Sequence, residues 1–511
     1  MKKMKRLFAV LLTLAMVMGM SITAFADLGT VTIPVTGAKE GTTYQYLQLI
    51  EPNTEKDTGW AFTTDTIASN FKTALDVEDD QTAIWMLIKH QNSNVEIPEG
   101  VTLTDEMMSS METKIKNAIE AVANGGYTLS EPSGSVVVDN AGMYYIRAIA
   151  QRYTYNPMAA YVSFGYTGGI PSNLESAGVN AKGNPIDTEK TSDQTTQVTE
   201  IGRKVTYYIG SIVPFVPLGD TERKYTLKDT ITGADYEVND GDTVTLTVYY
   251  GAEGTSVEEL LKSVKGGTAT AEDTQLYSKA VKEVTVDGKT KKQFEADLSS
   301  VLENNTHANQ PIVIAYEATV TDTQVGNNAS IGDGDNESQF GTNDDELYTV
   351  QITINKKDAK DGKPLDGAEF VISKDDEEDE NAPQYYAVFE NNKFVRWEKP
   401  TGDAKIAGTP ITAENGTVTV TGLGEGTYHI TETKAPDGYS INTEIEDVTV
   451  ETVEGQVVTA NLSGERDVLD TQLSALPSTG GIGTTIFTIA GCLIMVAAAG
   501  LFFVSRRKSA K

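Results

Sequence analysis

Gly424-Glu425-Gly426-Thr427-Tyr428-His429-Ile430-Thr431-Glu432-Thr433-Lys434-Ala435-Pro436-Asp437-Gly438-Tyr439 decides the fold of the third part of this chain. Side chains alternate across a strand, so Tyr428, Ile430 and Glu432 share one face. If the tyrosine and isoleucine face a core, the glutamate does too, and a buried carboxylate needs a reason. Upstream, Ile352, Ile354 and Lys356 alternate in the same way before Asp358 and the turn Gly362-Lys363-Pro364-Leu365-Asp366-Gly367-Ala368. Here too a charged group continues an inward face.

Outward from this pair, runs rich in Val, Ile, Thr and Tyr, separated by Gly, Asp and Asn turns, recur along the chain. They cover Thr30 to Val35, Ser135 to Asp139, Lys204 to Ile209, Thr243 to Tyr250, Ile312 to Val320, Tyr348 to Asn355 and Gly416 to Thr421. This pattern predicts an all-β-dominated protein of tandem β-sandwich modules. The first module differs. Met108, Met111, Ile115, Ile119 and Val122 fall at helical spacing within Thr104 to Ala123, with Gly125-Gly126 as a stop, so a helix is expected on its sheet. Two connections are expected, Ile170-Pro171-Ser172-Asn173 through Gly183-Asn184-Pro185 and Gly332 to Asp345. Asp375 to Glu380 reads as a solvated loop tip. Asp333, Asp335 and Glu337 read as an acidic turn, since they fit no complete calcium-loop spacing.

The two ends set the compartment. Leu476-Pro477-Ser478-Thr479-Gly480-Gly481 precedes an uncharged apolar run, Ile482 to Val504, and then Arg506, Arg507 and Lys508. The run is 23 residues, roughly 34 Å as a helix at about 1.5 Å per residue, against a hydrocarbon core of about 30 Å. The basic tail stays cytoplasmic by the positive-inside rule. At the other end, Lys2, Lys3, Lys5 and Arg6 lead into an apolar stretch from Leu7, and Ala24-Phe25-Ala26 offers the small-x-small site of a secretory signal peptide. Segments 1–26 and 480–511 hold no Asp or Glu and eight of the chain's 41 basic residues. The remaining chain thus carries 33 basic against 73 acidic residues, a net of −40. Such a surface is self-repelling and unfit for nucleic acid. An exported protein of this size often carries disulfides, yet the single cysteine, Cys492, lies inside the apolar run. Any covalent reinforcement needs another chemistry.

An LPxTG pentapeptide against an apolar run and basic tail resembles the sorting signal of Gram-positive surface proteins. The resemblance implies cleavage between Thr479 and Gly480 by a sortase, recognising Leu476, Pro477, Ser478 and Thr479, and transfer of the Thr479 acyl group to an amine. The strands around Lys356 and Glu432 resemble the B-type repeat of collagen adhesins and the C-terminal domain of Gram-positive backbone pilins. In that family a first-strand Lys, a Glu and a last-strand Asn or Asp form an intramolecular isopeptide bond. The resemblance assigns Lys356 as the amine and Glu432 as the catalytic acid. Asp470, in Val468-Leu469-Asp470-Thr471, fits the last partner best, with Asn461 as the alternative. Desolvation favours the neutral amine and the neutral acid, which is what such a bond needs, and no cofactor or metal is required.

The middle of the chain resembles the A-type pilin sandwich. There Lys190, Asp229 and Asn327 stand as amine, catalytic carboxylate and carboxamide, with Asn328 also possible; Gly202-Arg203 replaces the usual Gly-Asp. Lys182, in Val179-Asn180-Ala181-Lys182-Gly183-Asn184, stands where backbone pilins present an acceptor lysine, without the usual Tyr-Pro. The expected organisation is a signal peptide at 1–26, an N-terminal pilin domain with added helices at 27–181, an A-type isopeptide sandwich at 182–346, a B-type one at 347–474, and a sorting signal at 475–511 with its span at 482–504.

The resemblance implies a structural backbone subunit of a covalently polymerised pilus rather than an enzyme. Its partners would be a sortase, further copies and accessory pilins, and peptidoglycan. The alternative is a singly anchored adhesin binding a host ligand. A hydrolase finds no support: His90 and His307 lie in polar stretches expected to be exposed, His429 points outward from its strand, and no nucleophile motif or phosphate loop is present.

Overall fold

Alternation along the strands builds most of this protein. The structure, a computed structural model, describes residues 28–473 and 483–508 apart from positions 168–169, 187, 219, 221–222, 253, 273, 377–381, 403 and 454–455. The expected signal peptide and the pentapeptide Leu476 to Gly480 lie outside the described residues, and the expected loop tip at 375–380 lies mostly outside them. The chain divides into two compact units. One holds the chain up to Gln197 and Arg203–Leu347, the other Val198–Gly202 and the chain from Tyr348 onward.

The first unit opens with a five-stranded antiparallel sheet in the order Trp60–Phe62, Thr43–Pro52, Gly142–Ile149, Met158–Thr167, Ile170–Ser176. Three helices accompany it: Asp65–Leu75, Asp80–Gln91 and Met111–Ala123. Thr64 and Asp79 cap the first two, their side chains accepting from Ile67 N and Thr82 N. The last helix starts seven residues later than its periodicity suggests. Met108 belongs to a turn closed by Met108 N on Thr104 O at 3.1 Å, and the buried stripe is Met111, Ala118, Ile119 and Val122. The first expected connection is largely sheet: Ile170–Ser176 is an edge strand, Val179–Asn180 pairs in parallel with Val35–Thr36, and Gly183–Pro185 pairs with Tyr153–Tyr155. Part of the second is also strand, Gly341–Tyr348.

Two further sheets complete this unit. One runs Glu189–Ser192, Lys204–Ile212, Pro311–Val320, Thr243–Tyr250, Leu276–Ala280, with Ala234–Tyr236 paired to Pro311–Val320. The other runs Lys282–Val286, Lys289–Asp297, Thr226–Thr232, Gln324–Gly332, Gly341–Tyr348. Their inner faces meet, with Phe294 edge-on to Tyr316 at 5.3 Å between ring centroids. Strict alternation puts Tyr225, Leu227, Asp229 and Ile231 on one inner face and Val325, Asn327, Ala329 and Ile331 beside them, all buried.

The second unit is a nine-stranded sheet ordered Val448–Val450, Gly426–Lys434, Glu369–Lys374, Tyr385–Glu390, Lys393–Glu398, Thr417–Leu423, Val350–Asp358, Leu462–Asp470, with Ile411–Thr412 on Glu369–Lys374. Val350–Asp358 and Leu462–Asp470 run in parallel, Lys356 opposite Val468 and Asp358 opposite Asp470. Val198–Gly202 joins this unit, with Thr199 N on Tyr348 O at 2.7 Å, Ile201 N on Gly422 O at 3.0 Å and Trp397 Nε1 on Glu200 Oε2 at 3.0 Å. Those five residues leave the expected 182–346 module for the next. Beyond the sheet, Gly483–Lys508 is a 26-residue helix. On it Leu493, Ile494 and Val496 are apolar and exposed. Among the described residues no helix is long and apolar enough to cross a membrane, and the expected span at 482–504 extends beyond them.

Candidate functional site

Lys356 is the largest charged side chain wholly buried in the second unit. It extends the inward row Ile352, Ile354, so the pleat that buries the isoleucines also takes its ammonium to 0 % exposure. An isolated ammonium there would cost several kcal/mol. Two carboxylates meet it. Lys356 Nζ lies 2.9 Å from Glu432 Oε1 and donates to Asp470 Oδ1, and both acids have fully buried side chains. The Phe370 ring sits 5.8 Å from the nitrogen. Glu432 Oε2 accepts from Asn442 N at 2.8 Å, which fixes the carboxyl. Burial pushes Glu432 up from its ordinary value, against that hydrogen bond and the lysine, and the Asp470 charge adds to the rise. One amine between two acids is one negative charge too many for a dry site, so a proton on Glu432 is the expected compensation.

Asp470, rather than Asn461, is brought to the lysine. Asn461 sits at the far end of the last strand, where its Oδ1 accepts from Thr349 N at 3.2 Å.

The site between the two sheets of the first unit uses the same device with different neighbours. Lys190 and Asp229 both have 0 % exposed side chains, and Lys190 Nζ donates to Asp229 Oδ2 and, at 2.8 Å, to Tyr316 Oη. Tyr236 donates to Asp229 Oδ1 at 2.7 Å. Asn327 Nδ2 donates to the same Tyr316 oxygen at 2.8 Å. The phenol therefore stands between the amine and the carboxamide. Asn328 is exposed on the opposite face, its Nδ2 on Asn343 O. Desolvation lowers Lys190 from its ordinary value despite Asp229, and burial drives Tyr316 and Tyr236 well above theirs, with the Asp229 charge adding to it. Asp345 is pushed up to about 6, chiefly by burial, against a hydrogen bond from Ser192 and the attraction of Lys190.

Sequence reasoning missed Tyr316, Tyr236, Tyr207 and Asp345. Tyr207 and Tyr316 stack at 5.7 Å and flank the ammonium, 5.6 and 5.3 Å from their centroids. Their only signal was inward alternation with Ile209 and Ile314, which any core tyrosine gives. Lys182 is exposed between two short strands, its carbonyl accepting from Asn156 N at 2.9 Å. Two histidines depart from expectation. His307 is half-buried, stacked on Tyr250 at 3.7 Å, and His90 is half-buried in its helix. His429 bridges Asp447 at 2.7 Å and Asp375 at 3.1 Å. The acidic turn closes on itself, Asp333 Oδ1 accepting from Asp335 N at 3.1 Å and Asn336 N at 2.8 Å.

Residues 350–464 match the SpaA prealbumin-like fold domain, and residues 470–511 match the LPXTG cell wall anchor motif. The anchor motif marks the chain as a cell-wall-anchored surface protein. The chain is similar to the trypsin-resistant surface T6 protein of Streptococcus pyogenes serotype M6, 24% identical over 230 residues. That match takes in 32% of this chain and spans 38% of the relative's length. Similar solved structures include the T6 backbone pilin of the same serotype, with TM-score 0.40, 17% identity, 82% of this chain and 80% of that one. The Corynebacterium diphtheriae major pilin SpaA is another, with TM-score 0.41, 13% identity, 87% of this chain and 100% of that one.

Proposed function

We propose that this chain is the backbone subunit of a covalently polymerised surface pilus, joined head to tail by a sortase and reinforced by two intramolecular amides. The observation that carries the reading is a lysine with no exposed side-chain surface, Lys356, held between Glu432 and Asp470 in the strands just before the anchor motif. A salt bridge so buried adds little stability for its desolvation cost. An amide in its place removes both charges. Lys356 Nζ attacks the Asp470 carboxyl carbon, Glu432 donates to the carbonyl oxygen and passes protons, and one water leaves. In the middle module, expected at 182–346, Lys190 attacks Asn327 with Asp229 as proton acceptor, and one ammonia leaves. The module expected at 347–474 carries the first of these bonds.

Polymerisation uses the exposed amine. Lys190 and Lys356 are consumed internally, whereas Lys182 is open to solvent at the junction of the first two modules. A sortase would cleave after Thr479 and join it to Lys182 of the next subunit, further copies and accessory pilins extending the fibre and peptidoglycan receiving its base. Immunoblots of cell-wall extracts test this. Wild type should give a high-molecular-weight ladder and Lys182→Arg only an anchored monomer. A ladder surviving in the variant would move the acceptor to another lysine, and no ladder in wild type would favour a singly anchored adhesin.

A further inference from the structure

We infer that Tyr316 is a catalytic proton shuttle of the middle-module crosslink, passing a proton from the attacking nitrogen of Lys190 to the departing nitrogen of Asn327. The inference rests on the Lys190–Asn327 reading above. Three observations carry it. Tyr316 Oη is within 2.8 Å of both Lys190 Nζ and Asn327 Nδ2, the nitrogen that must lose a proton and the one that must gain one. Tyr316 is buried, so no bulk water substitutes for its hydroxyl. Asp229, the nearest carboxylate, is already engaged by Lys190 and Tyr236.

The chemistry balances without a co-reactant. Asp229 first takes a proton from the Lys190 ammonium, leaving a free amine whose lone pair attacks Asn327 Cγ. The carbonyl electrons move onto Asn327 Oδ1, a buried atom that lacks a hydrogen-bond partner among the described residues. The Tyr207 hydroxyl, buried beside Asn327, is the group placed to receive that charge. Nζ, now bonded to carbon, gives a proton to Tyr316 Oη as the phenol gives its own to Nδ2. The C–N bond to Nδ2 breaks, the carbonyl re-forms, ammonia leaves, and the tyrosine is unchanged. In the third module the corresponding transfers fall to Glu432, and among the described residues no tyrosine hydroxyl hydrogen-bonds Lys356 or Asp470.

The experiment follows full-length chain made by pulse-labelled cell-free translation, quenched in acid at intervals and read by intact mass and peptide mapping. Tyr316→Phe keeps the ring that packs on Tyr207 and Phe294 but removes the hydroxyl. The half-time for ammonia loss should lengthen roughly 100-fold or more, the scale of general acid–base catalysis, while water loss from the third module keeps its wild-type rate. An unchanged half-time overturns the shuttle. If limited proteolysis shows the variant's middle module unfolded, 3-fluorotyrosine at position 316 decides. A shuttle predicts an altered half-time with a shifted pH profile, and an unaltered one overturns it. Wild-type protein that loses no ammonia, or loses water by joining Lys190 to Asp229, fails the underlying crosslink reading instead, and the shuttle with it.

Discussion

The two buried lysines solve one electrostatic problem in two ways. Lys356 lies between two carboxyl groups, so its site balances only if one acid is protonated, and burial raises Glu432 accordingly. Lys190 faces one carboxylate, with phenols supplying the remaining polar contacts, and burial lowers the amine itself. Burial thus favours the protonated acid in the third module and the neutral amine in the middle one. The difference follows from the third partner, Asp470 on Leu462–Asp470 in one module and Asn327 on Gln324–Gly332 in the other.

The largest expected effect comes from removing the third-module amine. Lys356→Ala leaves Glu432 and Asp470 facing each other in a dry site, about 3–5 kcal/mol for an orphaned buried charge. It also abolishes the proposed tie between residues 114 positions apart, about 5 kcal/mol by chain entropy. Thermal unfolding of the ectodomain should show this module melting first, and an unchanged melt would mean that the lysine carries neither role. Glu432→Ala should cost less, because it removes the acid but neither linked atom. We expect the fold to persist with the water of the third bond retained and protease resistance reduced. A variant that still loses that water would remove Glu432 from the chemistry.

Asn327→Asp converts the middle site into a copy of the third, one amine with two acids. The bond should still form, with the mass loss changing from ammonia to water. Persistent ammonia loss would point to another carboxamide. The smallest effect concerns His429. Burial works against its charge, but Asp447 and Asp375 outweigh it and hold the imidazole above its ordinary value. A raised folded-state value stabilises fully below about 6.5 and is lost as pH rises through the folded value. The third module should therefore lose under about 1 kcal/mol over that window, discounted for partial exposure, and His429→Gln should flatten the dependence in pH-resolved melts.

What could be read beforehand followed local alternation. Lys356, Glu432, Asp229 and Asn327 each continue a row of apolar residues, so a period of two places them inward without any tertiary knowledge. Tyr316 and Tyr236 obey the same period, but an inward tyrosine reads as packing. Only the meeting of two sheets shows that its hydroxyl reaches a lysine and a carboxamide. The helix Asp80–Gln91 was illegible for a different reason: Ala83 through Ile88 are all buried, so no polar face marks its turn. Conversely, Met108 kept the helical spacing while its backbone turned away. The exchange of Val198–Gly202 into the following unit depends on strand pairing far along the chain, which no local pattern encodes.

Intact mass of the folded ectodomain, with peptide mapping of the linked fragments, tests the central claim most directly. The account predicts a mass short by one water and one ammonia, with Lys356 joined to Asp470 and Lys190 joined to Asn327. Folded protein at its full unlinked mass, with all four side chains recovered free, would contradict it.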